Sequence, residues 1–371
     1  MAAAVDLARC VAALTRREPE NRLPALYSCD PGEDSPPGGT DRLETRTGLA
    51  RLCEEAAKAV GQGDTRTRAS TVGDSFSQRS IAHSGGGPAC RWSSQRAWCS
   101  LEIVARRNGQ RRTGFEIDWA HSMDGLDPTA VGRAAARRAW NKFDASCPRT
   151  GKTALLLDPC VTAGLFNALA AALSAKAVLR GRSLLAGWEG RKVASEVFTL
   201  VDHGNHPDGF HSAPVDGEGV LSTRTVLIDA GALQGFLHDS YTAAHLGALS
   251  TGHAVRDGYA GPPAVGTRNL FPLPSGPTPA DLLASISQGI MVDEVMGLHT
   301  VDPVSGDFSL GALGRRIQAG KVGAPLDGFT ISGNILPFLR SVQAVANDLR
   351  FFTEGAGGST VLLHDIMVSG S

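Results

Sequence analysis

At 371 residues and 42% hydrophobic content the chain can bury about two ordinary cores. Lys and Arg number 36 against 37 Asp and Glu, so a net charge of -1 excludes the long-range positive field that gathers nucleic acid or an anionic membrane. Seven cysteines, an odd number with no Cys-x-x-Cys or zinc-finger spacing, argue against a disulfide scaffold and fit a reduced, cytoplasmic setting.

The start, Met1-Ala-Ala-Ala-Val-Asp6, lacks the basic opening and apolar stretch of a signal peptide. Residues 1–40 carry Pro19, Pro24, Pro31, Pro36, Pro37 and Gly38-Gly39, which predicts an extended lead-in. Residues 41–60 predict a helix whose inner face is Leu49, Leu52, Cys53, Ala56 and Val60. Asn108-Gly109, between two runs of strand-forming residues, predicts a hairpin. Asp127-Pro128 opens a helix with a cap and a first-turn proline, running to about Phe143. These elements make an N-terminal α/β domain over 41–150.

A second, larger, β-rich domain is expected over 151–371, so the fold class is α+β. Thr153 to Asp158 reads as a buried strand, and Pro159 opens an apolar helix. The window from Val161 to Leu179 is interrupted by Asn167, Ser174 and Lys176, which suits a buried helix better than a membrane span. Ala230-Gly231 separates two strands, a helix follows over 240–246, and Gly258 to Pro279 reads mostly as loop. Residues 281–287 read as a short helix. Strands are expected at 289–295, 308–318, 329–332 and 360–368, with a helix over 336–347. The 44 glycines and 20 prolines are spread without a short period, as turns of a β-rich protein would be.

Three local motifs fall short of known chemistry. Gly151-Lys152-Thr153 ends like a phosphate loop, but Ser146 stands at its first glycine, and helix precedes where strand is needed. Asp307-Phe308-Ser309-Leu310-Gly311 lacks the first glycine of a serine-hydrolase elbow. Asp202 to His211 gathers His203, His206, His211 and two aspartates, yet a Gly/Pro loop gives such ligands no rigid frame; a solvated loop is the preferred reading and a metal site the alternative. Arg106, Arg107, Arg111 and Arg112 at the hairpin tip read as a solvated face.

The C-terminal two-thirds carries an ordered series of segments: Thr162-Ala-Gly-Leu-Phe166, Asp216-Gly-Glu-Gly-Val220, Leu237-His-Asp-Ser-Tyr241, Ser250-Thr-Gly-His253, Asn269-Leu270, Gly306-Asp-Phe-Ser309 and Ser332-Gly-Asn334. In order and spacing they resemble the TldD/PmbA family, and its TldE/PmbA branch more than its TldD branch. The resemblance implies a subunit of a heterodimeric zinc peptidase acting on unfolded peptides or a peptide-like natural product. In the TldD branch a helix bears His-Glu-x-x-x-His and a later cysteine completes the zinc site. Here Asn167, Ala168 and Ala171 stand at those helix positions, and the cysteine position falls in Gly355-Ala-Gly-Gly358. Amide and methyl groups cannot replace imidazole, carboxylate and thiolate around zinc.

The resemblance therefore implies no catalytic residue, metal or cofactor in this chain, with zinc held by a TldD-like partner. Candidates for lining the substrate chamber are Ser250, Thr251, Gly252, His253 and Asn269. The family's opening strands look absent before about residue 70, an N-terminal domain shortened relative to the family. A homodimeric binding protein and an independent hydrolase remain the alternative readings.

Overall fold

The computed structural model describes residues 42–60, 63–81, 90–258 and 261–370, so the lead-in expected over 1–40 lies outside the described residues. Helix α1 (Arg42–Val60) is followed by strands β1 (Asp64–Ile81), β2 (Cys90–Arg107) and β3 (Gln110–Ala120), then helix α2 (Pro128–Trp140). The strands form an antiparallel meander in the order β1-β2-β3. Between β2 and β3, Asn108 and Gly109 have φ of 50° and 79°, the left-handed pair that a two-residue hairpin turn requires.

Along β2 every second side chain is buried: Ala97, Cys99, Leu101, Ile103 and Ala105. Against them lie Ala135, Ala136 and Ala139 of α2 and Cys53 and Ala57 of α1, small residues that let both helices sit close to the sheet. The α1 face differs from expectation at Leu52, which is 49% exposed. Cys53, Ala57 and Val60 keep the helical spacing that meets the sheet, and Leu52 falls off that stripe. Asp127 caps α2, accepting from the Ala130 amide at 2.9 Å.

Strand β1 is the main element not read from sequence. Its run Asp-Thr-Arg-Thr-Arg-Ala-Ser-Thr-Val has no apolar alternation because it is an edge strand with much of both faces in solvent.

Residues 151–370 build a larger unit. In chain order it comprises β4 (Gly151–Leu157), α3 (Pro159–Leu169), α4 (Ala175–Leu179), β5 (Leu200–His203), β6 (Arg224–Asp229), β7 (Ala232–Leu233) and α5 (Ser240–Leu246). Then follow β8 (Ala254–Arg256), β9 (Pro263–Val265), β10 (Leu270–Pro272), α6 (Pro279–Ser285), β11 (Gln288–Met296), β12 (Asp307–Gln318) and β13 (Lys321–Asn334). The last elements are α7 (Ile335–Arg340), β14 (Val342–Val345), β15 (Arg350–Phe351), β16 (Gly357–Gly358) and β17 (Val361–Ser369).

The main sheet runs β13-β12-β11-β4-β17, and β17 pairs back onto β13 through Thr330 with Ser369 and Ile331 with Val368, closing a ring of five strands. Only the β4–β11 pair of this ring is parallel. A smaller antiparallel sheet, β10-β5-β6-β7, stands apart from the ring. One apolar core joins them, with Leu155 and Leu157 of β4, Phe166 and Leu169 of α3, Leu200 of β5 and Phe329 of β13. The helix expected over 336–347 stops at Arg340. Val342, Ala344 and Val345 instead pair with Leu363, Leu362 and Val361 as an edge strand, a tertiary pairing that overrides helix-compatible local spacing. Among the described residues no helix is long and apolar enough to cross a membrane.

Candidate functional site

Helix α3 begins at an Asp158 cap, which accepts from the Cys160 amide at 2.9 Å, and has Pro159 in its first turn. Its buried face is Val161, Thr162, Ala163, Leu165, Phe166 and Leu169. Asn167 and Ala168 are half-buried on the remaining face, and Ala171 is exposed beyond the helix end, because α3 stops at Leu169 with Ala170 as its C-cap. Beyond Leu169 the chain continues in tighter turns, with Ala172, Leu173 and Ser174 amides bonded three residues back, so positions 167 and 171 straddle the change from regular α-helix to these turns.

The glycine segment approaches the other end of α3. A Cβ at Gly358 would lie 1.9 Å from the Pro159 carbonyl oxygen and 2.8 Å from the Ala163 nitrogen. The donor set at these positions does not fit zinc: it holds one amide, two methyl groups and a segment without thiols. Among the described residues no group of three or more His, Cys, Asp and Glu is gathered in a way that could hold a metal ion.

The Asp202 to His211 cluster is divided by the fold. Asp202 is the third residue of β5 and is fully buried, pointing away from the histidines that follow. It accepts from the Arg268 amide at 2.9 Å and the Asn269 amide at 3.3 Å, and pairs with His253 Nε2 at 3.1 Å. His203 and His206 meet edge to face, and His206 packs on Phe271 and Phe351. His211 meets Phe210 edge to face instead.

Of the five chamber candidates, none lines the larger cavity described below, and two are wholly buried. His253 is held between Asp202 and the Thr251 carbonyl, 2.8 Å from its Nδ1. Asn269 donates to the His203 carbonyl at 2.9 Å and Ser212 Oγ at 3.0 Å, and accepts from the His211 amide at 3.0 Å. Ser250 and Thr251, half-buried, hydrogen bond to the His238 carbonyl. Gly252 is buried with φ of 72°. A buried amide and imidazole are retained where they satisfy other polar groups: Asn269 braces the 203–214 loop from behind, and His253 holds Asp202.

That loop forms one wall of a cavity of about 430 Å³; the opposite wall is the paired strands β1 and β2. Phe76, Trp92, Ser94, Gln95 and Arg96 face His206, Phe210 and Ser212 across it. Arg96 Nε donates to the Phe210 carbonyl at 2.7 Å, and its guanidinium lies 4.8 Å from the Phe210 ring centroid. Trp119 meets Phe210 edge to face and donates from Nε1 to the Phe351 carbonyl at 2.8 Å, tying the N-terminal sheet to the loop. His206 Nδ1 accepts from the Asp208 amide at 3.1 Å, which leaves the neutral ring with its Nε2 as donor. Burial and then the neighbouring His203 hold His206 below the usual histidine range.

His211, just outside the cavity, is pushed down to about 4 by burial and then by Arg96, Arg268 and Arg79. The unfolded chain takes up its proton near pH 6.5, the folded chain only near pH 4. Stability from this group is therefore complete above pH 6.5 and lost progressively as pH falls toward 4. Because His211 is exposed to solvent, which screens this shift, the loss should be only about 1 kcal/mol. Melting curves of wild type and His211→Gln from pH 7.5 to 4.5 should show a shallower decline in the variant; parallel curves would refute the assignment.

A second cleft of about 280 Å³ lies between α2 and the ring, and its lining is mostly charged. Arg138 pairs with Glu116 at 2.9 Å, Lys142 with Glu294 at 3.0 Å, and Arg315 grips both oxygens of Asp293 at 2.8 and 2.6 Å. Burial pushes the Asp158 carboxyl up within it. Of these pairs Lys142–Glu294 crosses from the N-terminal region to the ring, as does the bond Arg138 donates to the Asp293 carbonyl at 3.3 Å.

Neither Arg96 nor the aromatic side chains around it were singled out from sequence. The only local signal is Trp92-Ser-Ser-Gln-Arg96, a charged residue on a strand whose alternate positions turn apolar immediately afterwards.

Comparison with known proteins agrees with the fold. Residues 150–370 match the PmbA/TldA metallopeptidase C-terminal domain and residues 36–142 match the central domain of the same family. The chain is 28% identical over 323 residues to Metalloprotease PmbA of Escherichia coli O157:H7, covering 87% of this chain and 69% of that one. It is 32% identical over 272 residues to a metalloprotease of Methanothermobacter thermautotrophicus, covering 70% of this chain and 58% of that one. The crystal structure of TldE from Thermococcus kodakarensis superposes with a TM-score of 0.83 at 24% identity, covering 97% of this chain and 82% of that one. The match begins at residue 36, well ahead of the C-terminal two-thirds over which the sequence resemblance runs. Two family models spanning most of the chain, together with the order of its motifs, show that it belongs to the TldD/PmbA metallopeptidase family.

Proposed function

We propose that this chain is the TldE/PmbA-like, non-metal-binding subunit of a TldD/TldE-type heterodimeric peptidase, with zinc carried by a TldD-like partner. Its substrates are unfolded peptides or a peptide-like natural product. The observation that carries the reading is α3: Asn167 and Ala168 stand where ligand and base are expected, and the helix ends before Ala171. An amide and methyl groups neither hold a divalent cation nor take a proton from water. Family membership supports a peptidase-related activity, and the likeness to a TldE structure supports the fold.

The test is reconstitution. The purified chain alone should not hydrolyse a casein-derived peptide mixture, whereas the chain mixed with a TldD-like subunit bearing His-Glu-x-x-x-His should do so and lose activity to a chelator. Chelator-sensitive hydrolysis by this chain alone would sink the reading.

A further inference from the structure

The cavity between the β1–β2 strand pair and the 203–214 loop has an unusual charge balance for a chain whose net charge is -1. Among the described residues no aspartate or glutamate lines it, and Arg96 is the one formal cation that does. The nearest loop carboxylate, Asp208, is exposed and sits 4.0 Å from His206 Nδ1. Only Nε of Arg96 is engaged, with the Phe210 carbonyl; its two terminal nitrogens have no hydrogen-bond partner among the described residues. The charges acting on Arg96 are those of Arg79 and Arg268, both of its own sign, and with burial they press its pKa down.

Arg268 is not available to a ligand in the same way. It is buried and donates to the His211 carbonyl at 3.1 and 2.9 Å. Arg96 thus stands as a half-buried guanidinium, fixed at Nε and over an aromatic ring, with its planar fork uncommitted. Such a fork matches the two oxygens of a carboxylate. Around it Phe76, Trp92 and Phe210 supply apolar surface, and Ser94, Gln95 and the His206 Nε2 supply hydrogen bonds. The cavity's size falls within the range of about 300–1,000 Å³ typical of small-ligand pockets, which suits one or two residues and not a folded surface.

We propose that this cavity binds the free α-carboxylate end of a short peptide, with Arg96 pairing the carboxylate and the aromatic wall taking an apolar or aromatic terminal side chain. The proposal rests on the peptide-handling function above and names which end of the peptide this chain recognises. It requires no zinc and no partner.

Titration calorimetry on the full chain tests it with the peptide Ala-Ala-Phe as free acid and as C-terminal amide. The free acid should bind at least tenfold more tightly. Arg96→Gln should remove that preference, Arg96→Lys should retain part of it, and both should melt close to wild type. If Arg96→Gln fails to fold, Ser94→Trp, which fills the cavity and leaves Arg96 in place, should abolish binding of the free acid.

Equal affinities for acid and amide would overturn the proposal, as would a preference that survives Arg96→Gln or Ser94→Trp, or no binding of either peptide. Two further arms separate sources of the anion. If inorganic phosphate competes as well as the free acid, the site is a general anion site. If an amidated peptide with an internal aspartate binds as well as the free acid, it is not a terminus site; either result overturns the proposal. Because binding is read on this chain alone, a preference seen without partner-dependent hydrolysis would sink the subunit reading and leave the cavity assignment standing.

Discussion

Replacing Asp202 with alanine should lower the unfolding free energy by about 3–5 kcal/mol, measured by urea denaturation. The carboxylate is completely buried and accepts from two consecutive backbone amides, Arg268 and Asn269, as well as meeting His253 Nε2. Truncation strands all three donors away from water, each at a cost of about 1–3 kcal/mol before relaxation. Asn269 would lose the anchor of its own backbone, and its side chain is what holds His203, His211 and Ser212 in place. Amide exchange across residues 203–214 should therefore accelerate together with the global loss. Asp202→Asn keeps one acceptor oxygen and should cost less than half as much. A loss under about 1 kcal/mol for the alanine variant would show that the network contributes little.

This network also marks the limit of what is legible in the sequence. The hairpin at Asn108-Gly109, the Asp127 cap with Pro128, and the short helix at Ser240 are each encoded by residues within a few positions of one another. They could be read directly. Asp202 lies 51 positions from His253 and 66 from Arg268, and Arg96 lies 114 from the Phe210 carbonyl it grips. Nothing local distinguishes Asp202 from the exposed Asp208 in the same ten-residue cluster. The inward strand position decides, and β5 itself is too short for alternation to reveal it. The same limit explains the chamber candidates: His253 and Asn269 look like loop polar residues in sequence, and only the fold shows that backbone groups consume their hydrogen bonds. By contrast, the unsuitability of positions 167, 168 and 171 for zinc was legible at once, because it depends on side-chain chemistry. That the helix also ends before 171 was not, since Ala170-Ala171-Ala172 contains no helix breaker.

The second large effect concerns the glycine at which the family's cysteine segment meets α3. Gly358→Ala should destabilise the chain by about 3 kcal/mol or more, at or above the upper end for overpacking. The added Cβ would fall 1.9 Å from the Pro159 carbonyl oxygen and 2.9 Å from its carbon. Both belong to backbone in the first turn of a capped helix, so no side chain can rotate out of the way. Either α3 shifts off β16, opening the core around Leu165, Phe166 and Leu169, or β16 loses its pairing with β15. Gly48→Ala supplies the contrasting case. Gly48 lies within α1 with nothing within 4 Å of its Cβ position, and there alanine should stabilise by about 0.5–1 kcal/mol through helix propensity alone. Urea midpoints moving in opposite directions are the expected result; a neutral Gly358→Ala would mean that α3 and β16 are not in backbone contact. The same geometry bears on rebuilding a metal site. A thiol placed at Gly358 would need room that the Pro159 carbonyl already occupies, and histidines at 167 and 171 would stand on either side of a helix end. Changing side chains alone therefore should not yield a zinc-binding chain, and elemental analysis of the Asn167→His, Ala168→Glu, Ala171→His, Gly358→Cys variant after zinc loading and gel filtration should find well under one zinc per chain.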